Sequence, residues 1–196
     1  MEDSYNRICK GKVGEKRFFL GNEAIVRGAL ESGIDVYTYY PGTPSSEVGE
    51  IFMEIFRNAG MTWVESSINE KVAVEVAGAA YARGATVMAG MKNVGLNVAS
   101  DPLFALATTR PNNKNSSMVI LVADDPQQHS SAVEMDSRNY LKLFKIPALE
   151  PSNPQECLEF TKNAFQISRD LKLPVIVRTV TMVSHARSNV LIGELK

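Results

Sequence analysis

Four short segments carry the residues able to do chemistry: PGTPSSE (41–47), SINEK (67–71), KNVGLN (92–97) and DDPQQHSS (124–131). In SINEK, Glu70 stands where a polar connection enters the apolar run VAVEVAGAA. A carboxylate buried without a partner is costly, so Glu70 must be exposed, engaged at a helix end, or paired with something the chain does not contain. Two readings stay open. An acid in a helix's first turn is favoured by the macrodipole by roughly 0.3–1 kcal/mol, with Asn69 or Ser67 as the cap. Alternatively Glu70 is a site acid, backed by the small residues of VAGAAYARG that let another element pack closely. Lys71 and Glu75 read as solvated.

In PGTPSSE, Gly42 permits close backbone approach, and the hydroxyls of Thr43, Ser45 and Ser46 can cap a helix or hold a ligand carboxylate or carbonyl. Capping accounts for Ser45 or Ser46 but leaves Thr43 unexplained. Neither G-x-x-x-x-G-K-[ST] nor G-x-G-x-x-G occurs, so phosphate cradling of the common nucleotide type has no support. His129 beside Asp124 and Asp125 forms either an acid-base pair or a loop hydrogen-bonded to itself, and His185 belongs to a strand end or tail. A glycine-flanked serine nucleophile is absent.

These segments are positioned by an alternating pattern. NEAIVRGALESG has a helical stripe at Ala24, Ile25, Gly28 and Ala29, and DVYTYY is a strand. PSSEVGEIFMEIFRNAG reads as a helix opened by Pro44, MTWVES as a strand, and NEKVAVEVAGAAYARG as a helix. Next come ATVMAGM as a strand, NVGLNVASDPLFALAT as a helix that Pro102 kinks or splits, and SMVILVAD as a strand. A helix around 140–144, a short IPALE strand, a helix over 154–171 and the strand LPVIVRTV complete the series. The expected fold is α/β: a parallel sheet with helices on both faces, in which ligands bind at the carboxyl ends of strands. Residues 1–16 are expected to form a mobile arm, 17–187 the domain and 188–196 a tail.

The 196 residues suit one domain, and the net charge of −1 gives no electrostatic reason for nucleic acid or an anionic membrane as partner. Cys9 and Cys157 stand too far apart in sequence to read as a metal motif, and the metal-ligand assignment is none. The start MEDSYNRICKGKVGEKR lacks the apolar segment of a signal peptide, so the cytoplasm is the expected compartment.

Taken together, YPGTPSSE, NEKVAVEVAGAA, MKNVGLNVASDPL, VADDPQQHSS, DSRNY, KIPALEPSNPQE and LPVIVR resemble the amino-terminal pyrimidine-binding domain of indolepyruvate:ferredoxin oxidoreductase alpha subunits, a branch of the thiamine-diphosphate-dependent 2-oxoacid:ferredoxin oxidoreductases. The resemblance runs from about Phe18 to Arg187. It implies that Glu70 hydrogen-bonds N1′ of the cofactor's aminopyrimidine and favours the imino tautomer, whose exocyclic nitrogen takes the thiazolium proton. Gly42, Thr43 and Asn97 are implied near the cofactor, and Thr43, Lys92 and Asn93 near the substrate. Where relatives carry a histidine this chain has Asn93, which leaves the identity of the 2-oxoacid open. The resemblance further implies thiamine diphosphate shared with a diphosphate-binding domain or subunit. Magnesium and iron-sulfur clusters come only through such partners, coenzyme A is a co-substrate, ferredoxin is reached indirectly, and the assembly is an oligomer. The chain to Lys196 is expected to supply half of a thiamine site. The rivals are the pyrimidine-binding subunit of a two-subunit non-oxidative 2-oxoacid decarboxylase and a noncatalytic assembly module.

Overall fold

The computed structural model describes residues 4–129 and 131–196. The helices are α1 (Ser4–Cys9), α2 (Gly21–Glu31), α3 (Ser46–Ala59), α4 (Glu70–Ala82), α5 (Gly95–Val98), α6 (Ser100–Thr108), α7 (Arg138–Phe144), α8 (Pro154–Leu171) and α9 (Thr181–Ser184). The strands are β1 (Lys16–Leu20), β2 (Val36–Tyr39), β3 (Trp63–Ser66), β4 (Thr86–Lys92), β5 (Ser117–Asp124), β6 (Ala148–Leu149), β7 (Val175–Val180) and β8 (Arg187–Leu191).

Six strands form one sheet in the order β3-β2-β4-β5-β7-β6, every pair parallel. Side chains alternate across a strand, so an uninterrupted apolar strand needs cover on both faces. β5 shows this directly. Val119 and Leu121 join a core with Ile25 of α2, Phe52 of α3 and Phe165 of α8, while Met118, Ile120 and Val122 join Val74 and Tyr81 of α4, Leu103 of α6 and Phe144 of α7. Each such aliphatic side chain, fully removed from water, contributes about 1.5–3 kcal/mol before conformational entropy is counted.

The chain termini depart from expectation. Residues 4–9, read as part of a mobile arm, form α1 with Ile8 fully buried. The supposed tail begins within β8, which pairs antiparallel with β1, and Val190 and Ile192 are buried. The cause is a buried cation. Arg27 donates to Ile8 O and Gly193 O at 2.6 Å each and to Glu31 Oε1 at 2.9 Å, while Lys162 reaches Glu31 Oε2 at 2.7 Å. Ordering residues 4–9 and the segment at 193 satisfies guanidinium protons that would otherwise be buried without acceptors.

Two prolines also sit differently. Pro44 precedes α3 after a cis Thr43–Pro44 bond instead of opening the helix. The 95–108 helix divides at Ala99, because Pro102 has no N–H to donate to the carbonyl of Val98 four residues earlier. Pro102 itself lies in the first turn of α6, where the missing donor is tolerated.

Candidate active site

Parallel register brings the carboxyl ends of β2, β3, β4 and β5 to one end of the sheet, with Tyr39 opposite both Ser66 and Gly90, and Gly90 opposite Leu121. Backbone bonds then tie the emerging loops together: Ser67 N donates to Tyr39 O at 2.8 Å, Tyr40 N to Gly90 O at 3.3 Å and Asn93 N to Ala123 O at 2.9 Å. Four loops distant in sequence thus share one surface.

Two glycines set how closely these loops approach. A Cβ on Gly42 would stand 2.7 Å from Lys92 Cβ, so the PGT loop lies directly on the end of β4. A Cβ on Gly95 would stand 2.4 Å from Glu70 Oε1 and 2.6 Å from its Cδ. The carboxylate of Glu70 therefore rests on the backbone where α5 begins, in space that any other residue at position 95 would fill.

Glu70 is the first residue of α4, but the cap is Asn69, whose Oδ1 accepts from Val72 N at 2.9 Å. That leaves the acid uncommitted. Only 8% of Glu70 is exposed, and among the described residues its carboxylate has no hydrogen bond or ion pair. Other buried carboxylates are differently placed. Glu23 pairs with Arg7 and accepts from Leu20 N, Glu31 is enclosed by Arg27 and Lys162, and Asp124 accepts from Arg178 and from Ser137 N through Oδ2, while its Oδ1 is enclosed without a partner. Glu70 has no protein partner among the described residues, and its carboxylate oxygens, unlike Oδ1 of Asp124, are not sealed from solvent, so the acid is open to a ligand at the strand-end surface.

The remaining expected site residues divide. Thr43 is exposed at the loop tip, and the loop is held from below by Asn22, whose Nδ2 donates to Pro44 O and Glu47 Oε2 at 2.8 Å each. Ser45 does not cap α3. Its hydroxyl turns back to Gly42 O at 2.9 Å and closes the loop. Lys92 is half-buried beside Gly42. Asn97 is exposed on the same loop as Gly95, donating to Met135 Sδ at 3.6 Å and accepting from the Tyr140 hydroxyl.

Asn93 departs from its expected substrate-facing position. It is fully buried, its Nδ2 donating to Met135 O at 3.2 Å and its Oδ1 accepting from Val94 N at 2.8 Å, so it fixes the loop from inside. Nor do the two aspartates pair with His129: Asp124 and Asp125 are buried on Arg178 and Thr181, while His129 is exposed. His185 is exposed, 3.7 Å from Glu47.

Sequence reasoning passed over Arg178, Met135 and Tyr140. Arg178 carried a signal: a charge inside the apolar strand LPVIVRTV requires a buried carboxylate, and Asp124 ends the neighbouring strand. Met135 and Tyr140 carried none, because only the fold brings their segment against Asn97.

The chain matches the family described as pyruvate flavodoxin/ferredoxin oxidoreductase, thiamine diphosphate-binding, over residues 27–196. It is 52% identical over 186 residues to the indolepyruvate oxidoreductase subunit IorA of Methanothermobacter thermautotrophicus, covering 95% of this chain and 29% of that protein. The corresponding figures for IorA of Archaeoglobus fulgidus are 45% over 193 residues, covering 97% and 30%. The chain thus spans less than a third of the length of these curated relatives. Among solved structures, the 2-oxoglutarate:ferredoxin oxidoreductase from Magnetococcus marinus superposes with a TM-score of 0.71 at 17% identity, over 91% of this chain and 32% of that one, and shares the fold. The parallel sheet, the loops gathered at its carboxyl end and a match over most of the chain agree: it belongs to the thiamine-diphosphate-binding family of the pyruvate flavodoxin/ferredoxin oxidoreductases.

Proposed function

We propose that this chain is the pyrimidine-binding part of a thiamine-diphosphate-dependent 2-oxoacid oxidoreductase acting on arylpyruvates, and that Glu70 is its catalytic acid. The observation that carries this reading is the carboxylate of Glu70, buried on Gly95 with no partner among the described residues. The nitrogen of an aminopyrimidine supplies the missing hydrogen bond and fits the donor set. When bound, thiamine diphosphate supplies a nucleophilic carbon for the 2-oxoacid carbonyl and an electron sink for the pair released with carbon dioxide. The chain's own residues do the rest of the local work. Glu70 holds a proton at N1′ of the pyrimidine. Asn69 caps α4 and so fixes the direction in which Glu70 leaves the helix, and Gly95 sets how deep the carboxylate sits. Gly42 seats the PGT loop on Lys92 and brings the exposed Thr43 hydroxyl to the mouth of the site, within the reach of pyrimidine or substrate. Asn97 presents its amide from the adjoining loop, while Asn93 acts from beneath by holding the loop's shape.

Magnesium, the diphosphate site and the iron-sulfur clusters belong in this reading to partner domains or subunits. Coenzyme A takes the acyl group and ferredoxin the electrons, in an oligomer. Among the described residues no helix is long and apolar enough to cross a membrane; the compartment proposed with this reading is the cytoplasm. The test is to purify the full-length protein with its copurifying partners. Turnover of indolepyruvate, phenylpyruvate and pyruvate is then measured with coenzyme A and ferredoxin, in wild type and Glu70→Gln. Coenzyme A-dependent ferredoxin reduction with an arylpyruvate, lost in Glu70→Gln, is the expected result. Decarboxylation without electron transfer would place the chain in a non-oxidative decarboxylase, and full turnover by Glu70→Gln would remove Glu70 from catalysis.

A further inference from the structure

The PGT loop is fastened to the domain at two places. Gly42 lies against Lys92 at the end of β4, and both the backbone N–H and the hydroxyl of Ser45 donate to Gly42 O at 2.9 Å, which sets the shape of the turn itself. The second fastening is Asn22, fully buried near the start of α2, whose Nδ2 donates to Pro44 O and to Glu47 Oε2 at 2.8 Å each. One amide group thus joins α2 both to the residue after Thr43 and to the first turn of α3.

This anchor is itself held in place. Gly21 N donates to Ala186 O at 3.0 Å, and a Cβ on Gly21 would stand 2.1 Å from Val183 O, so the first turn of α2 lies directly on α9. On the other side of Asn22, Glu23 accepts from Leu20 N at 2.8 Å and pairs with Arg7. The hydroxyl of Thr181, at the start of α9, donates to Asp125 Oδ1 at 2.6 Å, which ties α9 to the carboxyl end of β5.

The chemistry at position 22 is specific. A proline carbonyl and a carboxylate are both acceptors, and a short side chain with two N–H hydrogens meets them together; the bond to the carboxylate is the stronger kind. Aspartate in its place would set another acceptor against both. Asn22 Oδ1 is buried without a partner, so the hydrogen bonding of this side chain rests on its donors alone. Because Thr43 is bonded directly to Pro44, a shift of the Pro44 carbonyl carries Thr43 with it. We propose that Asn22 is a positioning residue of the reaction, holding the Thr43 hydroxyl through Pro44 at the mouth of the site, where it meets pyrimidine or substrate. This rests on the placement of Thr43 given above.

The experiment is a double-mutant cycle in the assembled enzyme. For wild type, Asn22→Ala, Thr43→Val and the double variant, kcat and KM are measured with whichever of indolepyruvate, phenylpyruvate and pyruvate the wild type turns over best, and thermal melting is recorded beside them. Asn22→Ala lowers kcat/KM about tenfold or more, the scale of a misplacement near the reacting groups, and changes the same parameter, kcat or KM, as Thr43→Val does. In the Thr43→Val background it costs no more than about a further twofold, because the group it positions is already gone. Should Asn22→Ala not assemble, Asn22→Asp, which keeps the shape and exchanges the donors for an acceptor, takes its place in the cycle. Equal factors in both backgrounds, or full activity of the Asn22 variant, overturn the proposal while an impaired Thr43→Val leaves the placement of Thr43 standing. A fully active Thr43→Val overturns that placement and the role of Asn22 with it, so the two failures are distinguishable.

Discussion

Under the chain termini, Glu31 is enclosed by Arg27, Lys162 and the amide of Gly193, whereas at the strand ends Glu70 is almost as deeply buried and touches no donor among the described residues. Both are carboxylates on helices packed against the same sheet, yet they serve different ends. At Glu31 the ion pair is saturated by groups the chain itself supplies, so its value lies in ordering α1 and residues 193–196. At Glu70 the chain supplies no partner among the described residues and the carboxylate oxygens stay open at the strand-end surface, where in the proposed reading the partner arrives from outside. A charge that is satisfied holds structure together, and one left unsatisfied at the end of a parallel sheet is available for chemistry.

The largest separation between the two acids should come from removing each in turn. Glu70→Gln is expected to lower turnover of the assembled enzyme by about 10²–10⁴-fold, the range for loss of a general acid-base group, while thermal melting of the domain stays the same or rises. Arg27→Met should do the opposite. Leaving Glu31 buried without its main partner costs about 3–5 kcal/mol in denaturant unfolding, with turnover per folded molecule preserved.

Gly95→Ala asks whether the position of Glu70 matters as well as its presence. The added methyl would stand 2.4 Å from Oε1, so the carboxylate must move, and kcat should fall about tenfold or more. The accompanying destabilisation, about 1–3 kcal/mol for overpacking, should stay below that of Arg27→Met.

The smallest effect is expected at Asp136. The hydrogen bond from the Arg138 side chain holds its carboxyl down at about 2, from an ordinary 3.8. Because the folded-state value is depressed, the contribution is fully present above about pH 4 and is lost as pH falls toward 2. Asp136→Asn should flatten that part of the stability-pH curve in urea titrations, by less than 1 kcal/mol since the pair is well exposed.

Much of this was legible in the residues. The run NEAIVRGALE announces α2 by its stripe, VILVA fits a strand covered on both faces, and the helix expected over 154–171 has those bounds, capped by Asn153 and ended by Lys172 in the left-handed conformation. What escaped depended on contacts remote in sequence. The order of α1 and β8 follows from Arg27 reaching Ile8 and Gly193, a pairing across 166 residues that no local pattern encodes. For the same reason Asn93 looked like a substrate ligand: its place in the loop was evident, but the burial of its amide under Met135 was not. Glu70 was visible as a question about burial. Its answer required Gly95, because only the folded loop shows that a missing Cβ makes the room.

The claim that Glu70 serves the aminopyrimidine is tested most directly by the exchange rate of the thiazolium C2 proton in thiamine diphosphate bound to the assembled enzyme, followed by quenched deuterium exchange in wild type and Glu70→Gln. With cofactor occupancy equal in both, exchange should slow by at least about a hundredfold in the variant. An unchanged exchange rate at equal occupancy would contradict the assignment and return Glu70 to the role of a helix-end carboxylate.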